Sequence, residues 1–127
     1  MRPEHLEAWP HTALQERIRV EKARLDDLFD PLCLPKPVFI KIDVQGHEMQ
    51  VIRGGRMVIA ASQRVMVEFN FAALYDGQPC FDELHQEMRS LGFILDTFVS
   101  PPRHPATGEL MSTDLIYFKQ FSGSADR

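Results

Sequence analysis

At 127 residues, 44% hydrophobic and 25% charged, the chain has the length and composition of one globular domain. A net charge of −4 and a pI of about 5.7 exclude a global field that would favour nucleic acid, and no apolar run approaches the ~20 residues of a membrane span. Two cysteines, Cys33 and Cys80, without Cys-x-x-Cys spacing exclude a disulfide framework, and with no apolar leader after Met1 the expected compartment is a reducing cytoplasm.

Residues 1–16 are polar, carry Pro3 and Pro10, and predict an irregular arm or a short helix. Ile18 and Val20 alternate with Arg17, Arg19 and Glu21, which predicts a short strand with one wet face. Leu25, Leu28 and Phe29 repeat at helical spacing, with Asp26 or Asp27 as a cap. Pro31, Pro35 and Pro37 end that helix in a stiff connector. Val38 to Val44 is a nearly continuous apolar run, the pattern of a strand buried on both faces.

A helix follows from about His47, with Met49, Ile52 and Met57 inward and a bend or restart at Gly54-Gly55. Arg64 to Phe71 is the next strand, with Val65, Val67 and Phe69 on one face and Met66 and Glu68 on the other. Tyr75 to Pro79 reads as a turn. Phe81, Leu84, Met88 and Leu91 mark a helix that Gly92 would end. Phe93 to Val99 is a strand, Pro101 to Gly108 a loop, and Asp114 to Lys119 the last strand, before a frayed tail at 120–127. From Val38 on, periodicity alone supports an α/β chain.

Chemistry concentrates at the end of the first apolar strand. Asp43 is the one acid in that run and falls at its carboxyl end, where open α/β sheets place ligands. Such an acid orients or deprotonates a substrate hydroxyl, or else caps the next helix, and one location suits both uses. His47 is either a general base or a solvated imidazole at the helix start, and Glu48 beside it suits the helix dipole. Glu68 and Asn70 end the second strand and lie beside Asp43 if the two strands are parallel neighbours. Two carboxylates there divide acid and base roles, or form a polar rim. Asp114 reads as fixing a turn or the start of the last strand, or as lining the site. His5, His11, His85 and His104 are scattered, so no metal site is expected. Phe69, Phe71, Phe81 and Phe93 read as core.

Several of these segments carry a resemblance in their order along the chain. Arg24-Leu25-Asp26-Asp27-Leu28, Ile40 to Gly46, Glu48 and Val51-Ile52-Arg53-Gly54-Gly55 come first. Val67-Glu68, Leu74-Tyr75, Phe81, Leu91-Gly92-Phe93 and Asp114 to Phe118 follow. Together, over residues 17–119, they resemble the C-terminal half of the FkbM family, S-adenosylmethionine-dependent methyltransferases that act mostly on oxygen. The resemblance implies part of a Rossmann-like methyltransferase sheet: parallel core strands with helices on both faces, then one antiparallel C-terminal strand. It implies transfer of a methyl group to a hydroxyl of a small molecule or sugar. Asp43, Glu68 and His47 become the candidate catalytic residues, and Glu48 and Asn70 the candidate substrate contacts.

The chain departs from the family in two places. It has seven glycines and no Gly-x-Gly, so the turn that grips the cofactor is missing, and Gln45 stands where the family often carries Glu. A single-domain portion, inactive alone, is one expectation. The other is a non-enzymatic α/β association module, with the strand from Val38 as an open edge for a second copy.

Overall fold

The computed structural model describes residues 16, 18–71, 77–99 and 103–119. The expected arm before residue 16, the start of the turn at Tyr75 and the tail after 119 lie outside these. In chain order the elements are helix α1 (Leu25–Leu28), strand β1 (Phe39–Ile42), helices α2 (Glu48–Gly54) and α3 (Arg56–Ala60), strand β2 (Arg64–Asn70), helix α4 (Phe81–Ser90), and strands β3 (Phe93–Val99) and β4 (Ser112–Lys119).

The four strands form one sheet in the order β1-β2-β4-β3. β1 runs parallel to β2, with Ile42 opposite Val67. β4 is antiparallel to both its neighbours, with Glu68 opposite Asp114 across β2 and β4. The last strand is thus inserted antiparallel between β2 and β3. A bulge at Asp96 shifts the β3–β4 register between Leu95 and Thr97.

Alternation decides what each face of the sheet does. Ile42, Val65, Val67, Phe69, Leu115 and Tyr117 point to one side and join Met49, Ile52, Ile59, Leu84 and Met88 in a single core. Helices on both faces were expected, yet α2, α3 and α4 all supply that one core. The handedness of the connections explains it. The crossovers β1→β2 and β2→β3 step across the sheet in the same direction, and right-handed crossovers then put both helical layers on the same side. The opposite face carries Lys41, Met66, Glu68, Asp114, Ile116 and Phe118, all exposed or half-buried.

Four further expectations need correction. Residues 18–20 form no strand, and Ile18 and Val20 are 75% and 68% exposed. The strand from Val38 was expected as an open edge, and among the described residues β1 is the edge of the sheet. β1 is not buried on both faces, because α2, α3 and α4 all pack on the Ile42 side: Ile42 is buried, Phe39 on the other face is exposed, and the strand stops at Ile42 instead of Val44. Met57 faces outward because the helix stops at Gly54 and restarts at Arg56, which resets its phase and turns Val58 and Ile59 inward. Phe71 lies past the end of β2 and is exposed.

Asp26 or Asp27 was expected to cap the helix at Leu25–Leu28, and neither does; Asp26 caps a different helix. α1 has no side-chain cap. Asp26 instead reaches across the chain to α3, where its carboxylate accepts the N–H groups of Met57 at 3.1 Å and Val58 at 3.0 Å. Gly55 precedes α3 and has no side chain to cap with, so Asp26 satisfies those N–H groups from another element. Close packing holds α1 in place. A β-carbon on Gly55 would lie 2.9 Å from Leu25 Cβ and 3.3 Å from the Val51 carbonyl oxygen. Gly55→Ala should therefore cost about 1–3 kcal/mol in urea denaturation. Gly54→Ala, whose nearest neighbour would be 3.8 Å away, should be neutral or gain up to about 1 kcal/mol of helix propensity.

Candidate functional site

The carboxyl ends of β1 and β2 bring a group of charged side chains to one rim of the sheet. Lys41 and Asp43 are two residues apart, so strand alternation puts both on the face away from the core. Lys41 Nζ lies 3.1 Å from Asp43 Oδ2. Glu68 is on the same face of β2, and Asp114 faces it directly from β4. Like charges opposite one another across a sheet oppose folding, so this pairing is not there for stability.

The turn after β1 completes the group. Gln45 has φ +54° and Gly46 φ +96°, both in the left-handed region. This tight reversal sends the Gln45 side chain back over the strand ends. Its Nε2 donates to Asp43 Oδ1 at 3.0 Å and to Glu68 Oε2 at 2.8 Å. Asp43 and Glu68 also interact directly through their carboxyl groups.

The two acids are held in different states. The Lys41 ammonium beside Asp43 is the main cause that keeps its carboxyl below the usual range, with hydrogen bonds from Glu68 and Gln45 adding to it. Glu68 is pushed up to about 7, first by partial burial, then by its hydrogen bond with Asp43 and by the charges of Asp43, Asp114 and Glu48. One carboxylate is thus ionised throughout the neutral range, while its neighbour exchanges a proton near neutrality. That division suits an acid–base pair.

The other candidates fall elsewhere. His47 is the residue before α2, exposed, and makes no side-chain cap. It lines a cavity of about 580 Å3 with Lys22, Arg24, Val44 and Gln50, and neither Asp43 nor Glu68 borders that cavity. Glu48 is only 2% exposed and accepts the Gly46 N–H at 2.9 Å, which fastens the turn. Asn70 is buried at the end of β2, and its carbonyl accepts Gln78 Nε2 at 2.7 Å. The helix-cap alternative for Asp43 finds no support: α2 has no side-chain cap, and the hydrogen-bond partners of Asp43 are Lys41, Gln45 and Glu68. Among the described residues no group of three or more His, Cys, Asp or Glu is arranged to hold a metal ion. No described helix is long and apolar enough to cross a membrane.

Sequence reasoning did not single out Lys41, and noted Gln45 only as a departure from the family. Lys41 carried a readable signal, being the one cation in an apolar strand and on the same face as Asp43. Asp114 lies inside β4, which begins at Ser112, and not before it as expected. Its place opposite Glu68 depends on the antiparallel register.

Comparison with known proteins places the chain in a family. The chain matches the methyltransferase FkbM domain over residues 3–95. That match takes in residues 3–16, outside the resemblance read from the sequence, and ends before β4. The chain is 34% identical over 74 residues to the 2-O-methyltransferase NoeI of Sinorhizobium fredii, a stretch that is 58% of this chain and 30% of that protein. The chain therefore matches less than a third of this relative's length. No solved structure gives a match. The family match spans most of the chain and includes the Asp43–Glu68 rim, and the chain belongs to the FkbM methyltransferase family.

Proposed function

We propose that this chain is the acceptor-activating portion of an S-adenosylmethionine-dependent O-methyltransferase whose acceptor is a hydroxyl of a sugar or another small molecule. The supporting observation is the unequal carboxylate pair at the strand ends, with Asp43 held ionised by Lys41 and Glu68 poised near neutrality. The 2-O-methyl transfer for which the NoeI relative is named is of the same kind.

When bound, S-adenosylmethionine supplies a methyl group on a positively charged sulfur. The negative rim of Asp43 and Glu68 suits that charge. The rest of such a molecule needs a glycine turn for close backbone approach, and the sequence has no Gly-x-Gly. Asp43 and Glu68 would thus face the reacting end, with other residues holding the remainder. The chain's own part is proton handling. Asp43 accepts a hydrogen bond from the acceptor hydroxyl and fixes its direction. Glu68 in its ionised form takes the hydroxyl proton as the oxygen becomes the nucleophile. With its carboxyl pushed up to about 7, Glu68 has both forms available near neutral pH, which suits a base.

A polypeptide joining this chain to an N-terminal FkbM portion, given methyl-labelled S-adenosylmethionine and a panel of monosaccharides and short oligosaccharides, should yield labelled O-methyl ethers. Label found only on nitrogen or carbon, or on no acceptor, would overturn the proposal. The 127-residue chain by itself should show no saturable S-adenosylmethionine binding in the micromolar range by isothermal titration calorimetry. A micromolar dissociation constant would show that the glycine turn is dispensable.

A second reading, a non-enzymatic association module, is favoured by one observation. β1 is the sheet edge among the described residues, and an unpaired edge is a template for another strand. Light scattering that shows self-association, together with no methyl transfer by the joined polypeptide, would select it.

A further inference from the structure

Gln45 donates to both acids of the pair from a third element. It comes from the β1–α2 turn and donates at 3.0 Å to Asp43, two residues away, and at 2.8 Å to Glu68, on the neighbouring strand. Its backbone is in the left-handed region at φ +54°, where a residue with a β-carbon is disfavoured and glycine is at ease. Strain of this kind persists where the surrounding structure enforces it, and it clusters at functional sites. Here its effect is specific: the left-handed turn aims the glutamine amide at the two strand ends.

We propose that Gln45 is a positioning residue, an amide clamp that holds the Asp43 and Glu68 carboxyl groups against each other so that they act as one acid–base unit. The inference rests on the acid–base reading of this pair.

The side-chain chemistry at 45 fits this role. An amide NH2 offers two N–H donors, and two carboxylate acceptors lie in reach of it. The acceptors fix the orientation of the amide, because its carbonyl oxygen facing them would oppose two negative groups. A carboxylate at 45 would add negative charge to a rim that already holds Asp43 from β1, Glu68 from β2, Asp114 from β4 and Glu48 from α2, against the single cation Lys41. A neutral donor draws the two acids together and adds no charge. The direct Asp43–Glu68 interaction is among the causes that set the two acids apart, so the clamp sustains the division of roles.

The test measures how strongly the two acids influence each other, with and without the clamp. Carboxyl-carbon NMR titration of the 127-residue chain gives the midpoint of Glu68. Asp43→Asn removes the neighbouring charge and should lower that midpoint. The same substitution is then made in Gln45→Met, which keeps the length of the side chain and loses both donors. It is made also in Gln45→Gly, which loses both donors and relaxes the left-handed backbone, so it folds even if the methionine variant does not.

If Gln45 clamps the pair, the drop caused by Asp43→Asn should shrink to half or less in either background. An undiminished drop would overturn the proposal, because a residue that merely stabilises the turn leaves that influence intact. The titration needs neither methyl donor nor acceptor. Loss of the influence in a protein that transfers no methyl group would leave the clamp standing and remove only its catalytic purpose. Methyl transfer with the influence undiminished would do the reverse.

Discussion

Glu68→Gln should lower methyl transfer roughly 10²–10⁴-fold and at the same time make the protein more stable at neutral pH. The first effect follows if Glu68 takes the acceptor proton, since glutamine has no basic oxygen for it. The second follows from linkage. Glu68 ionises near 4.5 in the unfolded chain and at about 7 in the fold. Between those values the folded state holds a proton that the unfolded state has released, so stability falls as pH rises from 4.5 to about 7 and levels off above. Asp43 has the opposite sign. Its carboxyl is held below its usual 3.8, so its contribution is present above that value and is lost only as pH falls through the folded value. It leaves the 4.5–7 window to Glu68. Glutamine does not titrate, and its amide can still donate to Asp43. Urea midpoints at about pH 4.5 and about pH 7.5 should therefore show a decline in the wild type that is reduced in Glu68→Gln. An equal decline in both proteins would mean that another group carries the pH dependence.

Asp43→Ala, in a polypeptide that includes an N-terminal FkbM portion, should lose a similar 10²–10⁴-fold in turnover with little change in stability. Its ion pair with Lys41 lies at the surface, where such pairs contribute about 0–1 kcal/mol. A helix cap would have predicted about 1 kcal/mol and normal turnover, but α2 takes no side-chain cap. Removal of Asp43 also takes away the neighbour that helps to raise Glu68, so any residual activity should have its acidic limb displaced to lower pH. Near-normal turnover with a lowered denaturation midpoint would make Asp43 structural and shift the catalytic role to Glu68 alone.

What the sequence revealed and what it hid divide along physical lines. β2 and α4 were legible because their apolar periods of 2.0 and 3.6 are long and uninterrupted, as in Val65-Val67-Phe69 and Leu84-Met88-Leu91. Asp43 and Glu68 were legible because an acid at the end of an apolar strand stands out. Gln45 was noticed only as a departure from the family, because its contacts with both acids depend on a left-handed backbone that a glutamine does not advertise. Asp114 was not legible, because antiparallel register decides which residue faces Glu68. β1 misled for a related reason. Its continuous apolar run suggests burial on both faces, but α2, α3 and α4 all pack on the Ile42 side and leave Phe39 exposed on the other. Met57 misled because the phase of one helix was carried across a break at Gly55.

The reach of Asp26 across to α3 bears on how other sequences of this kind should be sorted. The Leu25-Asp26-Asp27-Leu28 stretch is among the marks by which such a chain is recognised, and here it works as fastening: Asp26 secures a helix end and Leu25 packs on Gly55. A gene could keep that fastening, fold normally and still be grouped with methyltransferases after its carboxylate pair had mutated away. If the carboxylate pair carries the reaction, the residues aligned with Asp43 and Glu68 are the ones that would separate working enzymes from inherited scaffolds in a survey of genomes.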